Sequence, residues 1–389
     1  MYRDLSDYYL RWYHERPMAV TPARRDELRR VHRCLMACIN HFVQHYRELT
    51  AHYMPLSDKE LEILDLQCAE APFRAGTFRP DYIITDKGEL KLCEITSRFF
   101  AHGIFMDWFG DQYARRFCAS RGLPAPESRF EEMMAYMLQL AGGSKQMFVF
   151  KSADRTSEIR LYKRFYEAHG IEVTVLEANQ VEAARREWDR PGTFLVSALN
   201  QKDILSYSLD TLRALIGRGL VSDFRNIFLV HDKRFMHLWF QDSFTGACLS
   251  PEDAAFLRAH AIPTWLTPPA EARHNKDAYI LKPWRLGKSE GVHAGPLTSE
   301  EEWQQLFDSG AAEGMVAQPF LPQRAYPTVW EGTPFQDYAC GMMLCIDNHY
   351  FDSGYFRCSS LPVTNQGDDR KAAVIHTDNP EVIQACDLL

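Results

Sequence analysis

Lys282 stands in a run of apolar and aromatic residues, Tyr279, Ile280, Leu281 and Trp284, and is followed by a turn rich in small residues. A lysine is almost never fully buried without a partner, so this position implies an anion waiting in a cleft. Gly287, Ser289 and Gly291, with Lys288 among them, allow the backbone after the strand to fold its N–H groups over phosphate oxygens. The Gly287-Lys288-Ser289 triplet is not a P-loop. That motif needs glycine where Lys282 stands and a helix afterwards, whereas Val292 to Gly295 read as strand. A second lysine, Lys233, follows Asp232 at the end of the apolar run 227–231 and opens a helix; alone, that pair is an ordinary helix start.

The elements that must position these lysines can be read from patterning. Thr21 caps a helix that begins at Pro22 and places Leu28, Val31, Leu35, Cys38, Ile39 and Phe42 on one face. His41 and His45 on that helix read as packed or solvated side chains. Residues 79–96 alternate around Asp86, Lys87 and Gly88 as a hairpin. Helices are expected near 103–120 and 126–141. Strands at 147–150, 173–176, 194–198 and 227–231 then alternate with helices near 157–169 and 208–218, which predicts a parallel, helix-covered sheet. A short strand is expected at 262–266, and the region from 314 to about 376 reads as antiparallel strands.

Composition bounds the function. The chain has 389 residues, 46% hydrophobic and 25% charged, which suits two or three folded domains. A net charge of -8 gives no general attraction to nucleic acid or to anionic membranes, so neither is an expected partner. The 10 cysteines lack zinc-ligand spacing and read as thiols of a reducing compartment. The first residues carry charges throughout, unlike a signal peptide, and a cytoplasmic location is expected.

The ordered set of Asp232-Lys233, Lys282, the small-residue turn and the strand Met315 to Leu321 resembles the ATP-grasp superfamily. The resemblance implies that Lys233 and Lys282 contact ATP phosphates. It also makes Gly287, Lys288, Ser289 and Gly291 part of a covering loop, and sets Gln318, Pro319, Phe320 and Leu321 against adenine. Members commonly end in an acidic strand pair with Glu-x-Asn; here the nearest equivalent, Glu94-x-Thr96, comes first in the chain. That displacement is similar to eukaryotic-type glutathione synthetase and glutathionylspermidine synthetase, whose ATP-grasp fold is circularly permuted.

The resemblance covers about 75–105 and 226–376. Glu94 and Thr96 share a strand face and can reach one Mg2+, with Asp81 as a further ligand; Asp81 also fits a turn or pairing role. A hydroxyl stands where the family has an amide. The acidic residue that follows Lys-Pro-x-Arg in the family is Leu286 here, which leaves Glu290 or Asp81 to compensate, or a metal that keeps more water. Arg79 and Arg357 match a substrate carboxylate or the transferring phosphoryl group, although Arg357 also fits an ion pair with Asp352.

The expected fold is therefore a mixed α/β, circularly permuted ATP-grasp. Residues 1–145 would supply helices and the metal hairpin, 146–231 an inserted parallel α/β substrate domain, and 232–389 the ATP-clasping strands and lid. The expected activity is an ADP-forming carboxylate-amine ligase acting through an acyl phosphate, with Arg79, Arg357 and Lys282 catalytic. Its substrates would be an amino acid or small peptide carboxylate and a small amine. The alternatives are a nucleotide-binding protein without ligase activity and a small-molecule kinase. Any assembly is expected to be a homodimer, the commonest kind.

Overall fold

The computed structural model describes residues 2–153, 158–287, 289–330, 332–364 and 369–389. The first long helix, Pro22–Gln44, starts as its sequence dictates: the Thr21 hydroxyl accepts the N–H of Arg24 at 3.4 Å, and proline fills the first helical position. Its apolar face is buried from Leu28 to Val43. His41 and His45 lie ring against ring, with centroids 4.5 Å apart.

Strand β1 (Met18–Val20) precedes that helix, and the hairpin of β2 (Thr77–Ile84) and β3 (Leu90–Thr96) follows it, with a register shift between Asp81 and Tyr82. Gly88 turns the hairpin at a φ of 83°, a conformation glycine adopts without steric cost. The expected helix at 103–120 begins only at Asp107. Ala101 and His102 are left-handed just before it, and Glu158 accepts the N–H groups of Gly103 and Phe105 at 2.7 and 2.9 Å, which holds that stretch as turns.

Strands β4 (Gln146–Lys151), β5 (Glu172–Glu177) and β6 (Thr193–Ala198) form a parallel sheet in the order β5-β4-β6, with helix Ile159–Ala168 connecting β4 to β5 and helix Leu209–Gly217 following β6. The run 227–231, read above as another strand, is instead a buried π-helical segment, Asn226–Val230. Asp223 decides this. Its carboxylate accepts the Arg225 N–H and its carbonyl the Asn226 N–H, which starts a helix, and a short apolar run has no periodicity that could tell the two apart.

Strands β7 (Tyr279–Pro283), β8 (His293–Ala294) and β9 (Met315–Pro319) make a small antiparallel sheet with its own core around Leu281, Trp303 and Ala317. The strand expected at 262–266 is reduced to single bridges, Leu92 with Ala261 and Trp265 with Ala317. The strands that follow are β10 (Ala325–Trp330), β11 (Thr333–Met342), β12 (Cys345–Ile346), β13 (His349–Tyr350), β14 (Tyr355–Ser359), β15 (Arg370–His376) and β16 (Asp387–Leu388).

A 10-stranded sheet runs β13-β12-β2-β11-β14-β15-β1-β16, with β3 on β2 and β10 on β11. Residues from both ends of the sequence therefore share one sheet. Strand β1 pairs in parallel with β15 on one side and β16 on the other. All 10 cysteines are free thiols. Among the described residues no helix is long and apolar enough to cross a membrane.

Candidate functional site

The sheet order β3-β2-β11-β14 brings together side chains that are far apart in sequence. Arg79 and Asp81 alternate onto one face of β2, and Arg357 reaches that face from β14, two strands away. Asp81 is 1% exposed. It receives two bonds from Arg79, at 2.7 and 2.9 Å, and a third from Arg357 Nη2 at 2.6 Å. Burial acts to lower the Arg357 pKa, but Asp81, Cys340, Glu94 and Tyr355 together outweigh it and raise it. Two guanidiniums thus share a single carboxylate.

Beside them lies a second group with the same imbalance. Lys282 Nζ donates to the Cys93 carbonyl at 3.0 Å, and Lys233 Nζ donates to the Leu286 carbonyl. Both lysines are buried. Lys233 Nζ is 3.9 Å from Glu94 Oε2, and the Glu94 side chain keeps 25% of its surface exposed. Burial pushes the Glu94 carboxyl up, yet Lys233, Lys282, Arg357 and Arg79 together hold it down at about 2. Burial lowers the Lys233 pKa, with Glu94 opposing and Lys282 assisting. Around Asp81 and Glu94, among the described residues, four cationic side chains face two carboxylates, a charge balance that favours an added anion.

This charged group forms the partition between two cavities. The smaller is a slot lined by Asp81, Cys93, Glu94, Lys282, Ser289, Gln318, Pro319, Phe320, Leu321 and Arg357, among others. The larger, about 770 Å³, is lined by Arg79, Thr96, Arg98, His102, Glu158, His231, Gly287, Tyr355 and Arg357, with an aromatic wall. Arg357 faces both.

Most of the residues singled out in the sequence meet at this partition, with corrections. Asp81, expected as a metal ligand, has both oxygens engaged by arginine. Thr96 lies in the wall of the larger cavity, while Glu94 faces the slot. Among the described residues no three His, Cys, Asp or Glu side chains are grouped to hold a metal ion. Lys233 lines neither cavity and supports the loop from behind through Leu286. Glu290, proposed as a compensating ligand, is exposed and lines neither.

The covering loop divides between the cavities. Gly287 faces the larger one and Ser289 the slot, Gly291 adopts a φ of 66°, and Lys288 lies outside the described residues. Arg357 pairs with Asp81 and not with Asp352, whose partner is Arg25 at 2.7 Å. Asp232 is no surface cap. It is buried between Arg234 and Arg285, and Arg285 also bonds Glu60.

Gln318 is 1% exposed and donates its amide to Thr264 Oγ1 at 2.9 Å, while its Oε1 has no hydrogen-bond partner. A buried acceptor in the slot wall suits a ligand N–H donor such as an exocyclic amine. His231 was not singled out by the sequence reading, although it immediately precedes Asp232-Lys233. Its Nε2 is buried without a partner in the larger cavity, and burial, with Lys233 and Arg98, lowers its pKa to about 3.

The model of the AnkG N-terminal domain family matches residues 31–229, just over half of the chain. The chain belongs to this family. A curated relative, the ATP-grasp enzyme ankG of Aspergillus thermomutatus, is 30% identical over 148 residues, covering 33% of this chain and 31% of that protein. The alignment thus spans about a third of the relative's length. The AnkG N-terminal match takes in Arg79, Asp81, Glu94 and Thr96 and stops before His231, Lys233, Lys282 and Arg357. The partition is therefore assembled from residues inside and outside the matched family domain, and the mixed α/β architecture is compatible with an ATP-grasp fold.

Proposed function

We propose that this protein is an ATP-dependent carboxylate-amine ligase on a circularly permuted ATP-grasp scaffold of glutathione synthetase type. The observation that carries the reading is the partition: among the described residues, four cations against two carboxylates, set between a narrow slot and a wide cavity, with Arg357 facing both. The likeness to an ATP-grasp enzyme supports the nucleotide assignment. The permutation is supported by the pairing of the early hairpin β2–β3 with late strands β11 and β12. The proposed division remains 1–145, 146–231 and 232–389.

The slot residues fit a nucleotide. Lys282 would meet its phosphates, Ser289 and Gly291 with Gly287 would fold over them, and Gln318 to Leu321 would enclose the base, with the Gln318 Oε1 acceptor available to an amine. Glu94 is the carboxylate of the slot that arginine does not engage and would hold Mg2+, which accepts one or two carboxylates and completes its shell with water. ATP supplies the phosphoryl group that converts a substrate carboxylate to an acyl phosphate open to an amine.

The chain's own groups do the remaining work. Arg357 and Arg79 hold the substrate carboxylate at the partition in a bidentate manner. Asp81 fixes both guanidiniums in place, and Lys282 offsets charge that develops on transferred oxygens, so the barrier is lowered by positioning and electrostatics. Free thiols throughout accord with a cytoplasmic setting.

The test is product analysis. Incubation with ATP, Mg2+ and pooled carboxylates and amines should release ADP and phosphate only when an acceptor pair is present. ADP without phosphate would mark a kinase, and nucleotide binding without turnover a non-catalytic protein.

A further inference from the structure

The larger cavity has a composition that the reading above leaves unused. Among the described residues, eight of its lining side chains are Phe, Tyr or Trp, whereas the aliphatic ones are Met106 and Ala198. At about 770 Å³ it lies in the range of sites that enclose drug-sized ligands, and a single small amino acid would leave most of it filled with water.

The aromatic wall is built firmly. Trp12 and Trp330 stack with centroids 5.3 Å apart and an interplanar angle of 16°, and Trp330 Nε1 donates to the Arg11 carbonyl at 2.9 Å. Tyr8 extends the wall and remains 55% exposed at the mouth. Stacking takes up one face of each indole and leaves ring edges and outer faces, and either geometry, edge-to-face or offset-stacked, favours another aromatic ring. The same cavity is lined by Arg79 and Arg357, which share Asp81 between them.

We infer that the carboxylate substrate is at least the size of a dipeptide and joins its carboxylate to an aromatic ring, the carboxylate set at Arg79 and Arg357 and the ring against Tyr8, Trp12 and Trp330. The inference rests on the ligase reading for the reaction performed there, but not for the recognition itself. It narrows the substrate from any amino acid or small peptide to aryl-bearing molecules.

The test is calorimetric titration of the full-length protein with glycyl-L-tyrosine, glycyl-L-leucine and glycine, in parallel with a non-hydrolysable ATP analogue. Glycyl-L-tyrosine should bind about tenfold more tightly than glycyl-L-leucine, from ring contacts additional to buried area, and glycine should bind most weakly. Trp330→Ala should remove most of that preference. Tyr8→Ala, at an exposed position where folding is not at stake, should reduce it.

Equal affinity for the two dipeptides, a preference unchanged in both variants, or no binding of either dipeptide at millimolar concentration would overturn the inference. Failure of the ATP analogue to bind while the aryl preference persists would sink the ligase reading alone. Nucleotide binding and ADP release without aryl preference would sink the substrate inference alone.

Discussion

Two buried charge networks lie in the same large sheet and differ in how they are closed. Around Asp337 on β11, Arg370 supplies two bonds at 2.8 and 2.6 Å and His14 Nε2 lies at 2.8 Å, while the guanidinium covers the Phe335 ring at 4.2 Å. Each oxygen of that carboxylate is engaged, and the guanidinium also lies 5.9 Å from the Trp330 ring centroid. Around Asp81 and Glu94, among the described residues, the cations outnumber the carboxylates, the lysines lean on backbone carbonyls, and both sides open to cavities. The same residue types thus serve cohesion in one place and reception of an anion in the other. Arg370 also lines the larger cavity, so what separates the two networks, among the described residues, is the local balance of charge and neither burial nor access to a cleft.

The contrast can be tested from its strongest consequence downward. Asp337→Ala removes the buried carboxylate that Arg370 and His14 share and should cost roughly 3–5 kcal/mol of stability, read from denaturant unfolding. A cost below about 1 kcal/mol would break the distinction, because such small values belong to exposed pairs. Lys282→Ala should do the reverse: ADP release in the presence of both substrates falls about 10²–10³-fold, as for loss of one preorganised donor, while the unfolding midpoint stays near that of the parent protein. Arg357→Lys keeps the charge but loses the planar fork. The Michaelis constant for the carboxylate substrate should rise about tenfold or more, in line with roughly 1.5–3 kcal/mol for a charged hydrogen bond.

The smallest expected effect is on acid stability. Glu94 has its folded pKa depressed from 4.5 to about 2, so the unfolded chain takes up the proton first as pH falls. The stabilisation from ionised Glu94 is complete above pH 4.5 and is lost as pH falls through that interval toward 2. Glu94→Gln should flatten the dependence of the urea midpoint on pH there. An unchanged slope would mean that Glu94 does not sense the four cations.

Local chemistry made much of this legible in the sequence. The cap at Thr21, the hairpin turn at Gly88 and the alternation of β4, β5 and β6 with helices are written in adjacent residues, and the structure follows them. Lys282 was informative because a charge in an apolar strand contradicts its own neighbourhood. What the sequence hid depends on pairings across long separations. The engagement of Asp81 by Arg357 joins positions 276 residues apart, and nothing near either residue announces it. The Trp12–Trp330 stack is equally invisible until β1, β15 and β10 are in place. The run 227–231 was misread because four apolar residues suit a buried helix as well as a strand, and only Asp223, upstream, tips the balance.

The insertion of β1 between β15 and β16 has a consequence for how the chain is made. Residues 18–20 leave the ribosome long before the strands that flank them exist, so this edge is completed after synthesis has passed residue 388, and until then β1 needs shielding from stray strand pairing. A nascent chain halted before residue 370 would leave β1 without either neighbour, exposing it to proteases and chaperones.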